Sequence, residues 1–359
     1  MTEVLGFLTP LIVYAIITLL HIVLPARKVI GYVIDENSGE KLRYRLNGLV
    51  VLIIIMMLWF GLGYLKLLPF DWFYTVRWYS LAGAFTLGLS YSLFAVIPHP
   101  AVKKSFLADL FLGRQKNPQY LGGRVDAKMW LYMVGAIMLE LHVLSFVAHH
   151  YLVFGLEEVN GVYLCAVLIT FFVFDYLSNE EVHLYTYDFF AERLGFKLGW
   201  GCLVFYPYFY AVALWSSVDL ASPELTIGQM VLFSGIFLLG WILARGANMQ
   251  KFYFKTAPDT SFLGIWPETV SANGKSLLVN GFWGLSRHIN YLGEILMASG
   301  IALTVTTQAG FWPWLYPLYY VALLFPRQLD DDKRCALKYG DLWQVYTKKV
   351  KYRIIPFIY

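Results

Sequence analysis

The chain has 359 residues, of which 58% are hydrophobic and 18% aromatic, and only 14% carry charge, far below the roughly 25% charged that soluble domains carry. That composition excludes an ordinary soluble domain and points to the bilayer. The formal net charge of +4 comes with no basic face of interleaved aromatics on a soluble module, which excludes nucleic acid as a partner.

Taken in chain order, hydrophobic runs of roughly 20 residues, the length that crosses about 30 Å of hydrocarbon, recur from end to end. They predict spans at 4–26, 46–68, 78–98, 129–154, 160–178, 198–217, 226–244, 292–307 and 309–326. The expected fold class is all-α, a polytopic integral membrane protein with about nine or ten transmembrane helices. The first run is expected to remain in place, because Met1-Thr2-Glu3 supplies none of the positive charge that precedes a cleaved signal. Lys and Arg gather in alternate loops: Arg27, Lys28, Lys41, Arg43 and Arg45; Lys103, Lys104, Arg114, Lys116 and Arg124; Arg245, Lys251, Lys255, Lys275 and Arg287; then the tail after Arg327. The positive-inside rule places these loops and the C-terminus at the cytoplasmic face.

No repeat, low-complexity tract or Pro/Gly linker divides the sequence. One membrane domain, 1–359, is expected, with 1–244 supplying mainly hydrophobic wall and 245–359 carrying most of the charge, His and Asn in its cytoplasmic segments. That asymmetry suggests an apolar substrate and a polar cofactor. Cys165, Cys202 and Cys335 are odd in number and show no CxxC spacing, so neither a disulfide framework nor a zinc site is expected. The seven histidines, scattered from His21 to His288, form none of the clustered boxes of a di-iron desaturase. His149-His150 reads as helix-terminal polar packing, and no metal is expected.

The most informative local segment is Leu277-Leu-Val-Asn-Gly-Phe-Trp-Gly-Leu-Ser-Arg-His-Ile-Asn-Tyr-Leu-Gly-Glu294. Polar groups left unpaired at membrane depth cost several kcal/mol, so Arg287, His288 and Asn290 together beside a new apolar span point to a polar ligand. Arg287 or Trp283 alone would serve equally as an interfacial anchor.

This segment resembles the sterol reductase signature LLxSGWWGxxRHxNYxGD, with Asn280 for Ser, Phe282 for the first Trp and Glu294 for Asp. The tail from Asp331 through Cys335, Lys338-Tyr-Gly340, Trp343 and Tyr346 to Tyr352-Arg-Ile-Ile-Pro-Phe-Ile-Tyr359 resembles the ending of that family. Arg245-Gly-Ala-Asn-Met-Gln-Lys251 with Lys255 matches its R-x-AN-x-QK-x3-R/K element. Leu42-Arg-Tyr-Arg-Leu-Asn-Gly48 and Gly113-Arg-Gln-Lys-Asn-Pro118, with Asp126 and Lys128, resemble its LxYRxNG and GRELNP…DLK pieces.

The resemblance implies NADPH-dependent reduction of a carbon–carbon double bond in a sterol, Δ14 or Δ7, within sterol biosynthesis. It implies that Lys251 and Lys255 hold the 2′-phosphate and neighbouring phosphates. Leu278, Trp283, Asn290 and Tyr291, beside Arg287 and His288, would line the cofactor path, and Asp331, Cys335, Tyr339 and Tyr346 would close over it. No GxGxxG loop follows a strand, so a Rossmann domain is not the route to the cofactor. Cys335 by itself reads as a packing residue.

An isolated sterol alkene is electron-rich and must be protonated before it accepts hydride, so an acid is required in an apolar pocket. The segment Phe172 to Asp188 supplies Asp175, Glu181 and Asp188. If this segment is helical, Glu181, Tyr185 and Asp188 share one face at i, i+4 and i+7. The comparable family stretch has Tyr where this chain has Phe172 and Trp where it has Ser178. Tyr210, in Phe205-Tyr-Pro-Tyr-Phe-Tyr210, is a further donor candidate with an equally good packing reading.

The rival is a membrane methyltransferase of the isoprenylcysteine type, which shares an RHPxYxG element and binds S-adenosylmethionine. A non-catalytic sterol-binding membrane protein is the other alternative. A bacterial inner membrane and the endoplasmic reticulum would each suit the composition.

Overall fold

In the computed structural model, which describes residues 1–35, 38–155 and 160–359, the chain is mostly helical and falls into two compact units, Met1–Glu224 and Leu225–Tyr359. Among the described residues five helices are long and apolar enough to cross a membrane: α1 (Thr2–Val23), α3 (Arg77–Val96), α4 (Ala127–Phe154), α5 (Gly161–Ser178) and α6 (Ile227–Thr256). Between them α2 (Gly48–Tyr64) is apolar but shorter, as is α7 (Ile289–Leu303), which is followed by α8 (Leu315–Tyr339) and α9 (Asp341–Lys349).

In Met1–Glu224 the loops are built as carefully as the helices. Strands β1 (Arg27–Ile34) and β2 (Lys41–Leu46) pair antiparallel, with Arg27 opposite Leu46 and Ile30 opposite Arg43, a small sheet outside the all-α expectation. β2 buries Tyr44 and Leu46, and its Arg45 donates to the carbonyls of His21, Ile22 and Leu24 at 3.4, 3.3 and 3.1 Å. Those are the orphan acceptors at the end of α1, so a cation there both bonds them and meets the negative end of the helix dipole. At the end of α3, Arg114 plays the same part toward Val96 and His99 (3.0 and 2.6 Å) while its Nε donates to Asp109 at 2.8 Å. Asp109 is fully buried and also accepts from the backbone N–H groups of Val102 and Lys103. Burial alone would raise its carboxyl, but Arg114 and the two amides hold it below the usual carboxylate range.

The expected span at 198–217 is not one helix. Phe196–Trp200 leads into a π-helical turn, Gly201–Phe205, and then into the short turns Tyr206–Phe209 and Val212–Trp215. Pro207 is the cause, because it lacks an N–H and its ring collides with the carbonyl four residues back. That carbonyl, Leu203 O, accepts instead from Tyr14 Oη at 2.6 Å, and the carbonyl of Pro207 lies 2.9 Å from His142 Nδ1. The freed backbone groups are therefore re-satisfied by side chains of α1 and α4, as membrane depth demands.

In Leu225–Tyr359, α6 starts from a capping box in which Thr226 Oγ1 accepts from Gln229 N and Gln229 Oε1 accepts from Thr226 N. Its main partner is α7, and the helices approach closely enough that a methyl on Gly293 would lie 2.5 Å from both Gly240 O and Ala244 N. Small residues at such a crossing let backbones touch, the usual way apolar helices associate in lipid. Strands β3 (Thr269–Ala272) and β4 (Lys275–Leu278) form a hairpin ahead of α7.

Candidate functional site

In the first unit, the segment after α5 does not continue as a helix, so the expected face of Glu181, Tyr185 and Asp188 does not form. α5 ends at Ser178, one turn runs from Glu180 to His183 and another from Tyr187 to Phe190. Asn179 and Thr186 break the run, their side chains bonding back to Asp175 O at 2.9 Å and His183 O at 2.7 Å. The two neighbouring glutamates consequently part. Glu180 is 7% exposed and accepts from Gly48 N at 3.0 Å, meeting the first turn of α2. Burial, eased only partly by Gly48 and Arg27, pushes its carboxyl up to about 7. Glu181 is turned outward, its side chain 27% exposed and paired with Arg27 at 2.5 Å.

Asp175 is half-buried and accepts from Asn179 Nδ2 at 3.1 Å. Asp188 is positioned by Lys128, a fully buried cation whose Nζ donates to the carbonyls of Asp188, Phe189 and Glu192 at 2.7, 3.0 and 2.7 Å. Lys128 is held in turn at the start of α4, where Asp126 Oδ1 accepts from Lys128 N and Met129 N. The Asp188 charge acts on Tyr176 and Cys202, and Tyr176 belongs to an aromatic group. Tyr176 lies 6.2 Å from Phe172 and 6.4 Å from Tyr206 between ring centroids, and Tyr206 lies 4.7 Å from Tyr210. Of the four acid candidates, Tyr210 thus belongs to an aromatic cluster with Phe172, Tyr176 and Tyr206, and the Asp188 charge acts on Tyr176 in it. At the far end of α4, His149 contacts Asp71 and Asp219 and stacks on Tyr74, and His150 Nδ1 lies 2.9 Å from Val218 O, which is helix-terminal polar packing.

In the second unit, Lys251 and Lys255 stand one turn apart on α6. Lys251 has Asp331, Lys255, Cys335 and Lys338 as its electrostatic neighbours, and its Nζ lies 5.7 Å from the Trp283 ring centroid. Trp283 is fixed by its Nε1 donating to Ala247 O at 2.8 Å. Asn290 Nδ2 reaches Asn248 Oδ1 at 3.5 Å, whereas Asn290 Oδ1 has no hydrogen-bond partner among the described residues. Burial, with Asp331 next, pushes the Cys335 thiol up to about 12, so Cys335 packs here as a neutral thiol. Tyr339, Trp343 and Tyr346 stack in series at 6.5 and 5.0 Å, and burial raises the Tyr346 hydroxyl, with Arg287, Cys335 and Asp332 nearby. Leu278 is buried at the end of β4. Arg287 and His288 face elsewhere: Arg287 donates to the carbonyls of Val350 and Lys351, and both residues meet Asp332.

A family model described as the ergosterol biosynthesis ERG4/ERG24 family matches residues 3–359. The chain belongs to this family. It is similar to the Delta(14)-sterol reductase of Arabidopsis thaliana, 33% identical over 350 residues that cover 94% of this chain and 91% of that protein. It is 34% identical over 361 residues to the Delta(14)-sterol reductase of Mus musculus, covering 94% of this chain and 81% of the relative. The 7-dehydrocholesterol reductase of Xenopus laevis is 32% identical over 346 residues, 88% of this chain and 70% of that protein.

Within this ERG4/ERG24 member, sequence reasoning missed the roles of Lys128, Glu180 and Asp332. Lys128 had a readable signal, since it immediately precedes the predicted span 129–154 and a cation at the edge of an apolar span needs partners. Glu180 and Asp332 had none, because each stands beside another acid of the same type and only the backbone decides which turns inward.

Proposed function

We propose that this protein is an NADPH-dependent sterol reductase that reduces a Δ14 or Δ7 carbon–carbon double bond in sterol biosynthesis. Family membership over residues 3–359 carries the sterol part of this reading, and relatives named for Δ14 and Δ7 reduction stand at similar identity. The cofactor part rests on one cluster, Lys251 with Lys255 and Lys338 gathered around Asp331 and Cys335, beside an Asn290 oxygen left without a partner. A dinucleotide phosphate fits that donor set, because several cations on one face suit a polyanion. Lys251 and Lys255 hold the 2′-phosphate; Leu278, Trp283, Asn290 and Tyr291 line the path; Asp331, Cys335, Tyr339 and Tyr346 close it. Arg287 and His288 serve the same site from behind, through the tail and Asp332. NADPH, when bound, supplies the hydride.

The proton comes from the first unit. Protonation of the alkene leaves a carbocation on the neighbouring ring carbon, and the aromatic faces of Phe172, Tyr176, Tyr206 and Tyr210 suit a cation better than aliphatic walls do. Asp188 and Tyr210 are the preferred donors, ahead of Asp175 and Glu181. The protein is read as one membrane domain with its cofactor half starting near Arg245. It crosses the bilayer about nine times, counting the five long helices, α2, α7, α8 and the broken 198–217 segment, since a span with irregular backbone is tolerated where it is buried in protein. A bacterial inner membrane or the endoplasmic reticulum would house it.

Incubation of the purified protein with NADPH or NADH and a panel of Δ7, Δ14 and Δ24(28) sterols, with products identified by mass spectrometry, tests the proposal. Saturation of one nuclear double bond with NADPH preferred is the expected result. No reduction of any sterol, or tight binding of S-adenosylmethionine in place of NADPH, would overturn it.

A further inference from the structure

α8 carries three consecutive acids, Asp330, Asp331 and Asp332, and a helix turns about 100° per residue, so neighbouring carboxylates reach different sets of partners. Asp331 acts on Lys251 and Cys335. Asp332 also acts on Cys335 and gathers partners of its own: its Oδ2 accepts from Gln328 Nε2 at 2.7 Å and Arg287 Nη2 at 3.3 Å and lies 3.4 Å from Arg353 Nε, and its Oδ1 faces His288 Nε2 at 3.7 Å. Its burial works to raise the carboxyl, but His288 and Arg287 hold it below the usual range, as a charged hub.

The groups that Asp332 gathers lead to two places in the proposed cofactor site. Along one branch, the His288 ring stacks on Tyr291 with centroids 4.9 Å apart and planes 18° apart. Along the other, Arg287 Nη1 donates to Val350 O and Lys351 O at 2.9 and 3.0 Å, and Val350 packs with Tyr346 and Val279 in one buried cluster. The backbone reinforces both branches. Arg287 N and His288 N donate to Tyr352 O and Arg353 O at 2.9 and 2.8 Å, and Ser286 Oγ donates to Ile354 O at 2.9 Å. The segment 350–354 is thus laid along Ser286-Arg287-His288 as a strap, and Arg353, which also reaches Tyr359 Oη at 3.1 Å, fastens its far side to Asp332.

We propose that Asp332 is a positioning residue for cofactor binding: through His288 it sets the ring of Tyr291, and through Arg287 and the 350–354 strap it sets Tyr346. Asp332 touches neither cofactor nor sterol. A charged, multiply bonded hub suits this task, because each charge-assisted bond is short-ranged and directional, and ring placement within a fraction of an ångström decides how well a bound ligand is held. The assignment rests on the NADPH reading above.

The test uses the full-length protein in detergent or nanodiscs, with KM for NADPH, KM for the sterol and kcat measured for Asp332→Asn, Asp332→Glu, Arg353→Gln and Lys251→Ala. Asp332→Asn should raise KM for NADPH about tenfold, ~1.4 kcal/mol, with sterol KM within twofold of wild type. Asp332→Glu should recover at least part of that loss, and Arg353→Gln, which loosens one side of the strap, should give a smaller rise in the same parameter. A merely structural role would instead lower kcat through a reduced active fraction and leave KM for NADPH alone, and that outcome overturns the proposal. Should Asp332→Asn fail to fold, Asp332→Glu and Arg353→Gln decide the matter, unchanged NADPH KM in both being the refutation. If Lys251→Ala raises KM for NADPH while the Asp332 and Arg353 variants do not, this proposal alone falls. If wild type does not use NADPH, both fall.

Discussion

The two units keep their polar groups in opposite ways. In Leu225–Tyr359 like charges gather, with Lys251, Lys255 and Lys338 close enough to act on one another. In Met1–Glu224 the charged and hydroxyl groups described above are dispersed and tied locally: Tyr14 to Leu203 O, Lys128 to the carbonyls of Asp188, Phe189 and Glu192, Glu180 to Gly48 N. Cations gathered around a single carboxylate, Asp331, suit a polyanionic ligand such as the proposed cofactor. Dispersed groups leave room for an aromatic surround such as that of Phe172, Tyr176, Tyr206 and Tyr210. The contrast teaches that cations gathered on one face and aromatic rings gathered in one cluster call for different ligands, which is the division the proposed function uses.

The contrast breaks most visibly at the acid. Asp188→Asn and Tyr210→Phe should be measured for single-turnover reduction of a verified sterol. At least one should fall by roughly 10²–10⁴, the usual contribution of a general acid, with NADPH affinity nearly intact. Near-normal rates in both would remove the aromatic cluster from the chemistry.

Glu180 offers the next largest effect, read as stability. Its folded carboxyl is raised from the ordinary 4.5 to about 7, so folding favours the protonated form. That contribution is fully present below about pH 4.5 and is lost as pH rises through 7, at about 1.4 kcal/mol per unit and so at most about 3 kcal/mol. Gln is a permanently neutral mimic that still accepts from Gly48 N. Thermal unfolding from pH 5 to pH 8 should therefore show wild type losing more stability than Glu180→Gln; parallel curves would mean that Glu180 is ionised throughout.

Lys251→Ala, removing one cation of the cluster, should raise KM for NADPH about tenfold and narrow the preference over NADH, leaving sterol KM alone. Equal use of NADH by wild type would show that the gathered lysines do not read a 2′-phosphate.

The sequence was most readable where hydropathy alone decides the outcome. Among the described residues, five of the nine expected spans are helices long and apolar enough to cross a membrane, 46–68 and 292–307 fall on shorter apolar helices, and 309–326 enters Leu315–Tyr339 only after two short turns, because a run of apolar residues in lipid satisfies its backbone best as a helix. The ninth, 198–217, failed on Pro207, a visible signal whose consequence depended on Tyr14 and His142 standing ready elsewhere in the chain. The cofactor cluster was legible as far as its lysines, since spacing on one helix brings Lys251 and Lys255 together. The tail's use of Arg287 and His288 was not, because segment 350–354 arrives from some 60 residues away. The acid segment was misread for a local reason: Asn179 and Thr186 bond their own backbone and end the helix, and once its phase is lost nothing in the sequence distinguishes Glu180 from Glu181.

That pair supplies the smallest expected effect and the finest discrimination. Helical spacing through Asp188 favoured Glu181 as the acid, whereas its side chain lies at the surface against Arg27, itself 65% exposed. A pair this close to solvent contributes about 0–1 kcal/mol, and a side chain turned outward to Arg27 does not face the aromatic cluster. Glu181→Gln should therefore keep reduction within about threefold of wild type and stability within about 0.5 kcal/mol, the range of ordinary surface substitutions. Loss of turnover on the scale expected for Asp188 or Tyr210 would mean that Glu181 turns inward during catalysis, and the outward position against Arg27 would then be a resting arrangement of the loop.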